Sequence, residues 1–348
     1  MFRTAALGLV ATLLISACGG SPVASPASSA SSGVAASAKP AATASAAPVK
    51  LTVSYSNIIG SNLPLWVAKE AGIFAKNGLD VDPVLITSTK GIAALLSGDV
   101  KIAHIGGSEV LSAAVGGADL LAVGGTVPVW PYVLIVAPEI KTAADLKGKK
   151  LAIAGVGGSY DIAAHVILPK LGLTPDKDVF IYAAGSVANS TAALASGQVQ
   201  ATLSQPPNQL ALEAKGFHVL ANMADLHLPT ANTTITMTRA FVNANKGVVQ
   251  RYVDSIVEAI AKEKKDRAFA ITVLEKYLKT TDEKELKATY DHYVGTVIPS
   301  DPYVRANQFA DAIETLSKKN PKVATFDVQS ILDESFVKSA IDRGLDKQ

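Results

Sequence analysis

The chain has 348 residues, a net charge of +2, a single Cys, 49% hydrophobic residues and only 18% charged ones. That length supports one large or two ordinary domains with substantial cores. Near-neutral charge without a basic stripe argues against a nucleic-acid binder, and one Cys excludes an internal disulfide framework, a Cys-based zinc site and a thiolate-held iron–sulfur cluster.

The N-terminus reads as an address. Arg3 supplies the positive charge, and Ala5 to Ile15 form an apolar run too short to span a bilayer comfortably. The run ends in Leu14-Ile15-Ser16-Ala17-Cys18-Gly19, which resembles a bacterial lipobox. That resemblance implies a signal peptide over residues 1–17, cleavage before Cys18, and acylation of its thiol and new amino group. A membrane-anchored lipoprotein follows as the expectation, periplasmic or on the cell surface. Residues 18–49 then form the lipidated Cys and a tether. From Gly19 to Pro48, 26 of 30 residues are Ala, Ser, Pro or Gly. Such a segment buries too little apolar surface to offset its ordering entropy, and as a flexible coil it reaches roughly 30 Å.

From Lys50 the pattern alternates strand, loop and helix. Strands are predicted at 51–55, 81–86, 102–105, 120–123 and 132–136, with helices at 63–71, between Thr87 and Leu96, and after Gly106. A second set runs from Lys141. Its strands are predicted at 151–154, 179–182, 199–203, 218–221 and 233–237. Its helices follow Gly155-Val156-Gly157-Gly158-Ser159, span 187–195 and follow Pro207. Short apolar runs between helices suit buried strands. Beyond Arg239 the chain reads as helical, near 247–265, 267–278, 282–293 and 303–318. The segments Ala93–Val100 and Ala192–Val199 each read as helix, Ser-Gly stop and strand start. Their recurrence favours two similar lobes.

The globular part resembles the substrate-binding lipoproteins of ABC importers, in the nitrate/sulfonate/taurine group that includes proteins for thiamine-pyrimidine precursors. The residues that carry the resemblance are Pro64 to Phe74 with Gly78-Leu79-Asp80-Val81, then Leu95 to Val100, Ala144 to Lys150, and Ala193 to Val199. Lys101 and Gln200 depart from an Asp common in the family after the second and fourth elements. The resemblance implies an α/β, type II periplasmic-binding-protein fold, with two α/β lobes around a ligand cleft, two crossovers and a helical C-terminal segment. With crossovers near Ala137–Pro138 and Thr230–Thr234, lobe one is 50–137 plus 234–348 and lobe two is 138–233. It also implies a solute-binding protein, expected to be a monomer, that captures a small ligand and delivers it to a permease.

Chemistry locates the candidate site. Ligands of open α/β sheets sit beyond the C-terminal ends of strands, where helix N-termini offer unpaired N–H groups. The loops that qualify contain Ser56, Asn57 and Ser61, then Thr87, Ser88 and Thr89, then Gly107 and Ser108, then Gly158, Ser159 and Tyr160, and finally Gly185, Ser186 and Gln205. Each type has a structural alternative as an N-cap or turn residue. Trp130, Tyr132 and Tyr160 are candidates to stack on a planar ligand. Lys90, Glu109, Asp161 and Arg239 are the sparse charges near these loops. No Arg sits at a strand–loop tip, so a bidentate oxyanion clamp is not expected. The expected ligand is a small organic molecule, weakly charged or aromatic.

No cofactor and no metal are expected. There is no P-loop, no H-E-x-x-H and no G-x-S-x-G elbow, and the glycine run at 155–158 has Tyr160 where a dinucleotide fingerprint needs its third glycine. His104 alternates with apolar neighbours and reads as a packed residue. An enzyme on this fold, after a pyrimidine-precursor synthase, would need a Cys-rich iron motif that the single Cys cannot supply. A ligand sensor or surface adhesin on the same fold stays open.

Overall fold

In the computed structural model, residues 47–348 are described. The signal segment, Cys18 and nearly all of the tether lie outside the described residues.

Among the described residues, ten strands form two five-stranded mixed sheets. The first contains β1 (Val49–Tyr55), β2 (Leu79–Leu85), β3 (Ile102–Ile105), β4 (Leu120–Val129) and β10 (Pro229–Thr238), in the order β2-β1-β3-β10-β4. The second contains β5 (Val133–Val136), β6 (Lys149–Ile153), β7 (Val179–Ala183), β8 (Ala201–Ser204) and β9 (His218–Asn222), in the order β7-β6-β8-β5-β9. The two orders follow one plan. A first strand lies between two parallel partners, and one antiparallel strand separates the third strand from the last.

Helices fill the connections: α1 (Leu63–Glu70), α2 (Ile73–Lys76), α3 (Ser88–Ser97) and α4 (Gly107–Val115) in the first half, α5 (Ser159–Lys170), α6 (Val187–Ala195) and α7 (Asn208–Glu213) in the second. The repeated Ser-Gly stops end equivalent helices. Gly98 after α3 and Gly197 after α6 both take left-handed backbone, φ 80° and 77°, a conformation open to glycine at little steric penalty. Each then leads into the third strand of its own sheet.

The antiparallel strand is where sequence and structure differ. The chain leaves the first sheet after Val129 and enters β5 of the second at Val133. It leaves the second after Asn222 and enters β10 of the first at Pro229. The passages are therefore at 130–132 and 223–228, not at Ala137–Pro138 and Thr230–Thr234. Four residues assigned to lobe one belong to the second sheet, and five assigned to lobe two belong to the first. Both crossing strands are apolar or Thr-rich, so their side chains suit either sheet. Only pairing decides the matter: β5 with β8 and β9, β10 with β3 and β4.

The C-terminal part is helical: α8 (Arg239–Ala244), α9 (Lys246–Lys265), α10 (Arg267–Leu278), α11 (Glu283–His292), α12 (Ala310–Ser317) and α13 (Ser335–Asp342). α9, α10, α11 and α13 share one core with the first sheet and α1. Within it Trp66 of α1 stacks on Tyr277 of α10 at 4.6 Å. The Pro64–Phe74 motif is thus a packing element. The segment from Val304 to Leu332 does not follow the first sheet alone. It shares its core with the second sheet, and α12 packs on α5. Among the described residues no helix is long and apolar enough to cross a membrane.

Candidate functional site

The C-terminal ends of β1, β2, β3, β6, β7 and β8 open onto one cavity of about 380 Å³. Of the expected site residues, eleven line it: Ser56, Asn57, Ser61, Thr87, Ser88, Gly158, Ser159, Tyr160, Gly185, Ser186 and Gln205.

Local chemistry sets each loop. After β1, Asn62 donates to the Asn57 carbonyl at 2.7 Å and fixes the turn that carries Ser56 and Asn57. After β2, Thr87 is the N-cap of α3, and its carbonyl accepts from Lys90 N–H at 2.8 Å. After β6, Asp161 in the first turn of α5 accepts the Gly157 N–H at 2.7 Å and holds the glycine loop down. After β7, the Ser186 hydroxyl caps α6 by accepting from Asn189 N–H at 3.1 Å. After β8, Gln205 donates to the Tyr160 hydroxyl at 2.9 Å.

Three expected residues do not line the cavity. Gly107 is buried in α4, where an added Cβ would collide with Ala231 and Phe309. Ser108 points behind the wall and donates to Glu109 Oε2 at 2.8 Å. Trp130 is 2% exposed, and its indole N–H is spent on Asp311 Oδ2 at 2.8 Å. Thr89 follows Ser88 in the first turn of α3, and its side chain lies outside what is described. Arg239 also lies elsewhere, paired with Asp119 at 2.6 Å and bonded to the Ser330 carbonyl at 2.7 Å.

Further lining residues come from the first passage and from β10, among them the stacking candidate Tyr132. Tyr132 precedes β5, and Asn232 and Thr233 lie on β10; all three line the cavity. Asn232 donates to the Tyr132 hydroxyl at 2.7 Å, and the Tyr132 and Tyr160 rings lie 4.4 Å apart at 34°. Burial pushes both phenols up, so they stay neutral. Their aromatic type was a signal in the sequence for Tyr132; nothing local marks Asn232 or Thr233.

Among the described residues, Glu109 is the only charged one of the lining. Its carboxyl, in the first turn of α4, also meets the start of α5: Oε2 lies 3.4 Å from the Ser159 hydroxyl. Burial pushes the carboxyl above its ordinary range. The Ser108 hydroxyl, the amides of Glu109 and Ser159 and the Ser159 hydroxyl oppose that rise by favouring the charged form.

His104 is packed, as its alternation suggested. It meets the Tyr252 hydroxyl at 2.8 Å, and burial pushes its pKa down to about 4. Among the described residues no cluster of three or more His, Cys, Asp or Glu could hold a metal ion.

Comparison with known proteins places this geometry. The family model described as NMT1/THI5 like matches residues 61–266. YtlA of Bacillus subtilis (strain 168) is 26% identical over 205 residues, which is 56% of this chain and 60% of YtlA. The match thus spans about 60% of that curated relative. The alkanesulfonate-binding protein SsuA from Xanthomonas axonopodis pv. citri, bound to MOPS, is 25% identical with a TM-score of 0.67, over 85% of this chain and 98% of its own. The periplasmic aliphatic sulphonate binding protein SsuA from Escherichia coli is 25% identical with a TM-score of 0.66, over 82% and 92%. The two mixed α/β sheets and their helices are those of the type II periplasmic-binding-protein fold.

Proposed function

The chain belongs to the NMT1/THI5-like family, and from that membership we propose that it is the extracytoplasmic solute-binding component of an ABC importer. It captures a small organic solute in the cavity and presents the occupied protein to a membrane permease. Acylation at Cys18 holds it to the membrane, and the Ala/Ser/Pro tether gives it reach. It acts as a monomer and carries out no chemistry on the solute.

One observation carries this reading. The cavity is walled by loops from both sheets, and Glu109 and Ser159 meet across it. A solute seated there touches both halves, so its binding free energy favours the arrangement in which they are together. The lining is mostly small hydroxyl, amide and glycine residues with two tyrosines. That set suits hydrogen bonding and stacking on a weakly charged or aromatic organic molecule.

The test is native mass spectrometry of the full chain purified without denaturant, before and after mild unfolding. Solute well above its dissociation constant adds several kcal/mol of stability and survives purification. A released small-organic mass, and a higher melting temperature when it is added back, support capture. A protein that neither carries nor is stabilised by any member of a panel of sulfonates, carboxylates, pyrimidines and aromatic acids contradicts it.

A further inference from the structure

The most unusual feature of the cavity is its charge. Oxyanion sites on this kind of scaffold use helix N-termini, with a basic side chain where one is available. Among the described residues the lining contains no Lys, Arg or His, and its one charged residue is acidic. Two helices, α4 and α5, start at the cavity from opposite sheets. Their N-terminal ends converge on Glu109. The hydroxyl of Ser108 lies 2.8 Å from Oε2 and that of Ser159 3.4 Å, and the two hydroxyls are themselves 3.5 Å apart. Burial pushes the Glu109 carboxyl above its ordinary range, and the amides of Glu109 and Ser159, with the two hydroxyls, oppose that rise by favouring its charged form.

We infer that the Glu109 carboxylate is a built-in anion seated between the N-termini of α4 and α5, and that the cavity therefore takes a neutral or cationic organic solute and refuses sulfonate, nitrate and carboxylate. This rests on the solute-capture reading and narrows it.

The seat is shaped for that carboxyl. A Cβ on Gly106 would collide with Oε2 and with the Ser159 hydroxyl, and a Cβ on Gly158 would stand 2.9 Å from Oε1. Glycine on both sides lets the carboxyl lie against backbone. An acidic residue in a first helical turn is common on dipole grounds alone. Such a residue, however, needs no partner from a second helix, and Glu109 has one. A ligand oxyanion would have to displace the carboxylate or lie against it in a site sheltered from water, where like charges repel strongly. A donor-bearing group, such as an amine or amidine, would instead find Glu109 as its acceptor. The buried Oε1 of Gln205, which has no hydrogen-bond partner, is a second acceptor in the lining.

Three forms of the full chain test this: wild type, Glu109→Ala and the isosteric Glu109→Gln. Each is titrated with ethanesulfonate and with MOPS by calorimetry, and melted in acetate at fixed ionic strength. The expected result is at least tenfold tighter ethanesulfonate binding by Glu109→Ala than by wild type. Acetate should raise the melting temperature of Glu109→Ala by several degrees and leave wild type unchanged, because free carboxylate refills the vacated seat. Glu109→Gln keeps the shape and serves if the Ala variant does not fold; its affinity for ethanesulfonate should also exceed that of wild type. Micromolar binding of ethanesulfonate or MOPS by wild type overturns the inference and leaves solute capture standing. Variants whose response to either anion equals that of wild type overturn it too. A chain that retains no solute counts against capture alone, since the acetate response does not depend on it.

Discussion

The indole N–H of Trp130 donates to Asp311 Oδ2 at 2.8 Å, tying the first passage between the sheets to helix α12. Trp130 is 2% exposed, so this donor has no access to bulk water. Asp311→Ala leaves the indole unpaired. The expected loss is about 1–3 kcal/mol of stability, read as a melting temperature lower by roughly 2–12 °C at about 2–4 °C per kcal/mol for a chain of this size. Unchanged melting would show that the bond contributes nothing.

Gly106 stands where the two halves of the cavity touch. Its backbone, φ −66° and ψ 142°, is open to any residue, so Gly106→Ala introduces no backbone strain. The new Cβ would press on Glu109 and Ser159. The expected outcome is at least tenfold weaker solute binding, about 1.4 kcal/mol or more, with little change in the melting temperature of the solute-free protein. Calorimetry with the solute identified by mass spectrometry checks it, and full retention of affinity would exclude tight contact there.

His165 lies between two carboxylates, with Nδ1 3.3 Å from Asp161 Oδ1 and Nε2 3.6 Å from Asp176 Oδ2. The hydrogen bond to Asp161 pushes the imidazole pKa up despite its burial. A raised folded-state pKa means that the stabilisation is complete below the unfolded value and is lost as pH rises through the folded one. Melting temperature should therefore decline between roughly pH 6 and 8, and His165→Gln should flatten that slope. Asp161 also holds Gly157, so Asp161→Asn should lose about 1–3 kcal/mol and loosen the glycine loop, seen as faster amide exchange at 155–158.

Glu263 in α9 is fully buried, and neither carboxyl oxygen has a partner. Burial pushes its pKa well up, opposed only by Lys264. The folded state binds this proton more tightly than the unfolded one, so stability falls as pH rises from the ordinary carboxylate range through the raised value. Glu263→Gln removes that slope, and Glu263→Met should stabilise the protein at neutral pH by about 1–4 kcal/mol. Chemical denaturation at several pH values reads both effects. A Met variant less stable than wild type would mean the carboxyl has a partner.

If Cys18 carries the anchor, Cys18→Ser should move the protein from the membrane fraction to the soluble exported fraction while leaving solute binding intact. Fractionation with a metabolic fatty-acid label measures this. Continued labelling of the Ser variant would place the lipid elsewhere.

Local chemistry determined most of the elements. Hydrophobic runs of four to seven residues, glycine stops such as Gly98 and Gly197, and caps such as Ser186 act within a few residues, and all ten strands overlap their expected places, although β4 runs six residues past its expected end, to Val129. The same locality made eleven cavity residues legible, because loops after parallel strands must gather at one sheet end. Tertiary structure alone decided the rest. Whether β5 and β10 join the sheet before or after their passage depends on pairing partners tens of residues away. Trp130 turned inward because Asp311, 181 residues on, accepts its indole proton. Glu109 became the central group of the cavity because a serine 50 residues later, on the other sheet's helix, meets it. A sequence fixes what each side chain offers; which partner receives it is set by the long-range packing that brings two chain segments within 3 to 4 Å.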